Sequence, residues 1–221
     1  MKIIARMRTD FDEKFGIPRQ GALAPETMGS IVFEPEFRDI NALKGLDGYS
    51  HIWIIWCFSD NKNESRSLTV RPPRLGGNER VGVWATRSPY RPNPIGLTCV
   101  KIEKIEMTSE GPVINVSGID MLNGTPIYDI KPYVPHADCI PQAIGGFAGQ
   151  YTEYRLEVVC DDELLNRLPK DRRDSLIRVL SMDPRPGYQN DDREYGLKYA
   201  GFNVKFQVIN NQVVVNDIYN C

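Results

Sequence analysis

The sequence predicts a mainly β fold, a barrel or a sandwich, followed by a small α+β unit. Three observations point there. Short β-prone runs fill the first 150 or so residues, Gly and Pro punctuate nearly every gap between them, and sustained helical spacing of apolar residues begins only near residue 160. A length of 221 residues holds one large domain, or one medium domain with a small one. An apolar share of 41% with 25% charged residues is ordinary for a chain that buries a core.

Taken in order, the first β-prone run is Gly29 to Phe33. Asp39 to Leu43 is the one early stretch with a trace of helical spacing. Ser50 to Phe58 reads Ser-His-Ile-Trp-Ile-Ile-Trp-Cys-Phe, apolar on both faces, which predicts a buried central strand. Val81 to Ala85 and Leu97 to Glu106 follow as strands; in the second, Leu97 and Cys99 alternate with polar residues and the later isoleucines do so less cleanly. Val113 to Ile119 alternates throughout. Pro72-Pro73, Gly76-Gly77, Pro92-Asn93-Pro94, Gly124-Thr125-Pro126, Pro132 and Pro135 supply the breaks.

Composition shifts after residue 150. Leu164, Leu165 and Leu168 stand at helical spacing behind Asp161, a suitable cap. Pro169 ends or restarts that helix, and Leu176, Ile177 and Leu180 continue it. Phe202, Val204, Phe206 and Val208 then alternate strictly, Asn210-Asn211 offers a hairpin turn, and Val213 and Val215 resume. The boundary falls within Ala143 to Tyr154, which gives a barrel domain over 1–145 and an α+β domain over 150–221.

Several function classes are disfavoured. Five scattered cysteines without a C-x-x-C pair, beside two histidines, argue against a metal site and against a disulfide framework. The N-terminus lacks the apolar core of a signal peptide, and Ile52 to Phe58 is too short to cross a bilayer, so a cytoplasmic protein is expected. No G-x-G-x-x-G turn sits between a strand and a helix, and no P-loop, G-x-S-x-G or Cys/His nucleophile pair occurs.

The net charge is −2, but it is unevenly spread. Between Ser65 and Ile95 stand Arg66, Arg71, Arg74, Arg80, Arg87 and Arg91 against Glu79 alone. All the basic residues there are arginines, whose planar forks suit carboxylate and phosphate. Four stiffened loops present such side chains: Phe15 to Gln20, Val70 to Asn78, Ala85 to Gly96, and Asp120 to Pro126 running on to Tyr133. Any one of them could be a barrel corner; together they point to a charged ligand.

These loops, with Gly45 to Trp53 before them, resemble the signature of the TsaA/TrmO family, the β-barrel methyltransferases. The resemblance runs from about Ile4 to Tyr133 and extends to the C-terminal strings Asp183 to Tyr188 and Phe202 to Val204. It implies a TsaA-like β-barrel core, S-adenosylmethionine (SAM) as cofactor, and a homodimer with SAM near the subunit interface. The implied substrate is N6 of N6-threonylcarbamoyladenosine, at position 37 in the anticodon loop of threonine tRNA. Cofactor contacts carried over are Pro18, Arg19, Gln20, Arg87, Leu97, Asn123, Gly124, Thr125 and Pro126, and Ser59 and Asp60 join the candidate cofactor contacts because Asp60 could pair with the amino group or ribose of SAM. Two positions depart from the pattern: Asn123 stands where Asp is frequent, and Ser59-Asp60 where many members carry His-Gln.

Methyl transfer from a sulfonium is an in-line displacement, so positioning supplies most of the catalysis. A water-poor pocket would help, and Trp53, Trp56, Trp84 and Tyr90 are candidates to line one or to pack a core. Asp60 or Asp129 is the candidate base; either could equally stabilise a turn. Arg71, Arg74 or Arg91 could grip the threonyl carboxylate, with Tyr133 also on the substrate side. Two alternatives stand: a non-catalytic SAM- or RNA-binding barrel, and a methyltransferase of this fold with another substrate.

Overall fold

The computed structural model describes residues 1–60, 67–72, 79–151, 155–185, 191 and 193–221. Its centre is a closed six-stranded antiparallel barrel, and the mainly β expectation holds. The barrel strands are β1 (Ala5–Thr9), β2 (Met28–Phe33), β3 (His51–Cys57), β6 (Ile95–Thr108), β7 (Gly111–Ser117) and β8 (Pro126–Pro132), arranged in the order β1-β2-β7-β6-β3-β8. Outside the barrel, β4 (Thr69–Val70) and β5 (Val81–Gly82) form a two-stranded ribbon. Closure leaves the barrel no free edge strand.

Side chains alternate inward and outward along each strand. Met7, Ile31, Ile52, Ile54, Val100, Ile114, Val116 and Ile127 fill the interior. The apolar stretch around β3 is therefore not buried on both faces, as its composition predicts. Ile52, Ile54 and Trp56 point into the barrel, while Trp53, Ile55 and Cys57 stand half-exposed on its outer wall. The imperfect alternation of the isoleucines in β6 has a local cause: the pairing with β7 slips between Ile102 and Lys104, which moves later side chains to the other face.

Val81 to Ala85 is a strand only at Val81–Gly82; Val83–Ala85 closes a 3-10 turn over buried Val83. The fourth loop is shorter than the sequence suggests, because Pro126–Pro132 pairs with both β1 and β3. Near Asp39 the spacing yields one 3-10 turn, Ile40–Leu43, capped by the Asp39 side chain on the Asn41 amide.

The C-terminal part is a sheet of β10 (Tyr195–Tyr199), β11 (Phe202–Ile209), β12 (Gln212–Asn220) and β9 (Glu157–Val159), in the order β10-β11-β12-β9. A short helix α1 (Pro135–Asp138) follows the barrel, and the helices of the C-terminal part, α2 (Asp162–Leu165) and α3 (Lys170–Ser181), follow the sequence expectation, with Asp161 capping α2 and Pro169 opening α3. Leu176, Val179 and Leu180 give α3 one apolar face, and all three are buried. Asn210 and Asn211 both take positive φ (50° and 62°), the geometry of a type I′ hairpin turn.

The two parts share one continuous hydrophobic core. The segment joining β1 to β2, residues 10–27, lies between them. Phe11 packs its ring on Tyr199 at 5.5 Å, and Phe15 stacks at 6.3 Å on both Tyr195 and Phe206. The Ala200 amide donates to the Asp10 carbonyl (3.0 Å), the Lys198 amide to Glu13 Oε1 (3.0 Å), and Arg178 makes a two-pronged pair with Glu26 (2.9 and 2.6 Å). A segment with few strand contacts of its own is thereby clamped from both sides.

Candidate functional site

Strand direction decides where the loops meet. The connections β1–β2, β3–β6 and β7–β8 all leave the same end of the barrel, because antiparallel pairing round the barrel makes β1, β3 and β7 run in one direction and β2, β6 and β8 in the other. Pro18, Arg19 and Gln20 lie on the first connection, Ser59, Asp60 and Arg87 on the second, and Asn123, Gly124 and Thr125 on the third. Ten of the side chains named above as cofactor contacts are thus on, or one residue beyond, three neighbouring loops: Pro126 opens β8 and only Leu97 is further along a strand.

Contacts tie the three connections together. Arg87 Nη1 donates to Gln20 Oε1, joining the first and second. Lys14 pairs with Asp60 Oδ2 at 2.8 Å, joining them again. Asn123 bridges to the first: its Nδ2 donates to Asp12 Oδ1 (3.0 Å) and its Oδ1 accepts from the Thr9 amide (3.3 Å). That use explains an amide at this position. A carboxylate there would lose the donor and face the Asp12 carboxylate at close range, a like-charge contact. Gly124, at φ +78°, donates its amide to the Met7 carbonyl (2.8 Å) and lets the turn close.

Sequence reasoning missed Asp120. Its Oδ1 accepts from Thr98 Oγ1 (2.7 Å) and its Oδ2 from the Gly21 amide (3.0 Å). Thr98 in turn accepts from Trp56 Nε1 (3.0 Å), so a chain of hydrogen bonds runs from the barrel interior to the Pro18-Arg19-Gln20 loop. Burial pushes the Asp120 carboxyl up to about 6, against the opposing pull of these bonds and of Arg87. The signal in the sequence was the Asp opening the Asp-Met-Leu-Asn-Gly-Thr-Pro string; its partners at Gly21 and Thr98 are invisible without the fold.

The candidate bases are placed differently from each other. Asp60 sits in the loop cluster, ion-paired with Lys14. Asp129 is on the outer wall of β8 opposite Ile55, paired with Lys131 at 2.9 Å. Tyr133 lies past the far end of β8, against Trp53 (5.8 Å) and His51 (6.2 Å), so within one chain it is not beside the loop cluster.

Of the arginine-rich stretch, Arg74 lies outside the described residues. Arg71 is exposed beyond β4. Arg91 is used as a staple: Nη1 donates to the carbonyls of Val83 (3.1 Å) and Thr86 (2.7 Å), and its guanidinium covers the Trp84 ring at 5.2 Å. The four aromatic residues named above do not form one pocket. Trp56 is in the core, Trp53 is on the outer wall, and Trp84 is 66% exposed on its turn. Among the described residues, no group of three His, Cys, Asp or Glu side chains is placed to hold a metal ion, and no helix is long and apolar enough to cross a membrane.

Comparison with known proteins adds a second line of evidence. Residues 6–139 match the model of the tRNA-methyltransferase O N-terminal domain, and residues 153–221 match that of the TrmO C-terminal domain. The tRNA (adenine(37)-N6)-methyltransferase of Escherichia coli is 35% identical over 215 residues, covering 93% of this chain and 91% of its own. RcsF of Pseudomonas aeruginosa, classed by name among the S-adenosylmethionine-dependent methyltransferases, is 40% identical over 203 residues, covering 88% of this chain and 86% of its own. The crystal structure of TrmO from Pseudomonas aeruginosa superposes with a TM-score of 0.80 at 32% identity, over 99% of this chain and 97% of that one. With the barrel, the three converging loops and both domain models in agreement, this chain belongs to the TrmO family.

Proposed function

We propose that this protein is a SAM-dependent tRNA methyltransferase that modifies N6 of N6-threonylcarbamoyladenosine at position 37, in the cytoplasm and on threonine tRNA. The observation that carries the reading is the convergence of the three loops at one end of the barrel, beside an arginine-rich connection. The residues there fit the chemistry of SAM. The cofactor carries a carboxylate, an ammonium and a sulfonium, and the cluster offers Arg19 and Arg87 as cations, Asp60 as an anion and Gln20 as an amide.

When bound, SAM supplies an electrophilic methyl group. The chain's own part is to hold the loops still, to exclude water and to orient the target nitrogen. Asp60 lies in the cluster and suits removal of the N6 proton, which the carbamoyl group acidifies; Asp129 would reach such a site only across a subunit boundary. Arg71 and Arg74 precede the Arg87–Arg91 loop on the same connection and suit the threonyl carboxylate, which would explain why that modification must come first.

The test is transfer of labelled methyl from SAM to tRNA with and without the threonylcarbamoyl group. We expect incorporation only into the modified tRNA. None into either, with folded SAM-bound protein, would leave a non-catalytic binding barrel, and incorporation into unmodified tRNA alone would remove the carboxylate grip.

A homodimer belongs to the same reading. The outer wall of β3 and β6 aligns Trp53 with Cys99 and Ile55 with Leu97, and Leu97 is 56% exposed. An apolar stripe of this kind suits a second copy of the chain. It would also carry Leu97 and Tyr133 to the partner's loops. Leu97→Asp should convert the dimer to a monomer in light scattering; a wild-type monomer, or an undisturbed dimer in the variant, would refute this arrangement.

A further inference from the structure

The proton-bearing and charged groups of the site fall into two kinds. Arg87, Asp60 and Arg19 sit on the loops themselves. Asp120, on the third connection, is of the other kind: it ties the loops to the barrel. Both of its oxygens accept hydrogen bonds, one from the barrel wall at Thr98 and one from the backbone of Gly21, the residue following Gln20. Thr98 is fixed by Trp56 from inside the barrel. Gly21 is itself pressed against the third connection, since a Cβ there would stand 1.9 Å from the Gly118 carbonyl oxygen.

We infer that Asp120 is a positioning residue for the cofactor, anchoring the Pro18-Arg19-Gln20 loop to the barrel through Gly21 and carrying a charge of opposite sign to that of Arg87. The inference rests on the reading that these loops bind SAM. Without the anchor, Gln20 and the Arg87 it accepts from would lose their common reference to the barrel wall. A hydrogen bond from an amide to a carboxylate is roughly twice as strong as one to a neutral oxygen, so the ionised form holds the loop best.

Among the described residues Arg87 is a charged group that acts on Asp120; Gly21 and Thr98, and Trp56 behind Thr98, are uncharged. Protonation of Asp120 near its raised value, about 6, would therefore loosen the loop and remove the counter-charge together. The effect on folding has the opposite sign. A carboxyl raised in the folded state favours folding when protonated, and this contribution is lost as pH rises through the folded value. Cofactor affinity should thus weaken on acidification, while the Asp120 contribution to fold stability improves.

Asp120→Asn separates the two. The amide retains the shape but can accept through one atom only and carries no charge. Calorimetric SAM binding should show a Kd raised about 10-fold or more at pH 8, with tRNA affinity unchanged and the melting temperature of the free protein no lower than wild type. The wild-type Kd should itself rise as pH is lowered through about 6, and the variant's should be flat across that range. Exchange of the Gly21 amide should be faster in the variant, a readout that needs no cofactor. A variant Kd within two-fold of wild type, or a flat wild-type profile, overturns the inference. Should the variant fail to fold, the wild-type profile and wild-type Gly21 protection decide alone. Absence of SAM binding by wild type at every pH would instead overturn the functional reading, and this inference with it.

Discussion

Gly21→Ala is expected to damage both the fold and the cofactor site. The added Cβ would stand 1.9 Å from the carbonyl oxygen of Gly118 and 2.8 Å from its carbon, and both atoms are backbone. No rotamer change relieves such a contact. Gly118 cannot yield easily either: its φ is +78°, and its amide is bound to the Thr27 carbonyl at 2.9 Å. Separation of the two segments would break the bond from the Gly21 amide to Asp120. We expect a loss of about 3 kcal/mol on denaturant unfolding, at the upper end of ordinary overpacking. In the fraction that folds, SAM affinity should fall by about tenfold or more, as expected when a charge-assisted bond is lost. Wild-type stability together with wild-type affinity would show that the close approach of these backbones is unimportant.

Arg172→Ala should carry the second-largest effect, by releasing the C-terminal domain from the same loop. Arg172 Nε lies 2.6 Å from Asp10 Oδ2, and both side chains are largely shielded. The contact is an ion pair rather than an aligned hydrogen bond, since Oδ2 accepts none among the described residues. Burial raises the Asp10 carboxyl above its usual range, Arg172 pulls it back, and Asp171 and Asp12 push it up further. Removing Arg172 leaves a partly buried carboxylate facing two others. The cost at neutral pH should be about 2 kcal/mol, below that of a fully buried pair because some solvent reaches the site.

The pH dependence of this loss follows from the direction of the shift. Ionised Asp10 is harder to bear in the folded protein than in the unfolded chain, so its favourable contribution exists at low pH and disappears as pH rises. Without Arg172 the carboxyl rises further, and acidification relieves more of the strain. The gap in melting temperature between wild type and variant should narrow as pH falls. A gap that stays constant, or widens in acid, would mean that Arg172 acts through packing alone.

Much of the architecture was legible in the residues. Alternation in Phe202 to Val208 marked a strand because a half-buried strand repeats every two residues, while Val113 to Ile119 marked β7, which ends at Ser117 and is buried on nearly every residue. Asn210-Asn211 marked a hairpin because these residues tolerate positive φ. Asp161 and Pro169 marked helix starts for equally local reasons. Where composition misled, the cause was tertiary. The apolar stretch at β3 reads as buried on both sides, yet one side faces out, because the same apolar residues serve a core or an uncovered outer wall. Pro126–Pro132 reads as a loop because of its prolines, yet it closes the barrel.

The candidate site divides along the same line. The sequence alone determined the family resemblance, the stiff loops rich in Arg, Asn, Gly and Pro, and which side chains they carry, since motif and turn chemistry are local. Only the tertiary structure decided that three loops separated by up to about a hundred residues open at one end of the barrel, because antiparallel closure sends alternate connections to the same end. It also decided that Arg91 staples its own loop, that Asn123 answers Asp12, and that Asp120 anchors Gly21. Hydrogen bonds between residues so far apart in the chain leave no periodic trace, and they exist only once the strands have been brought into register.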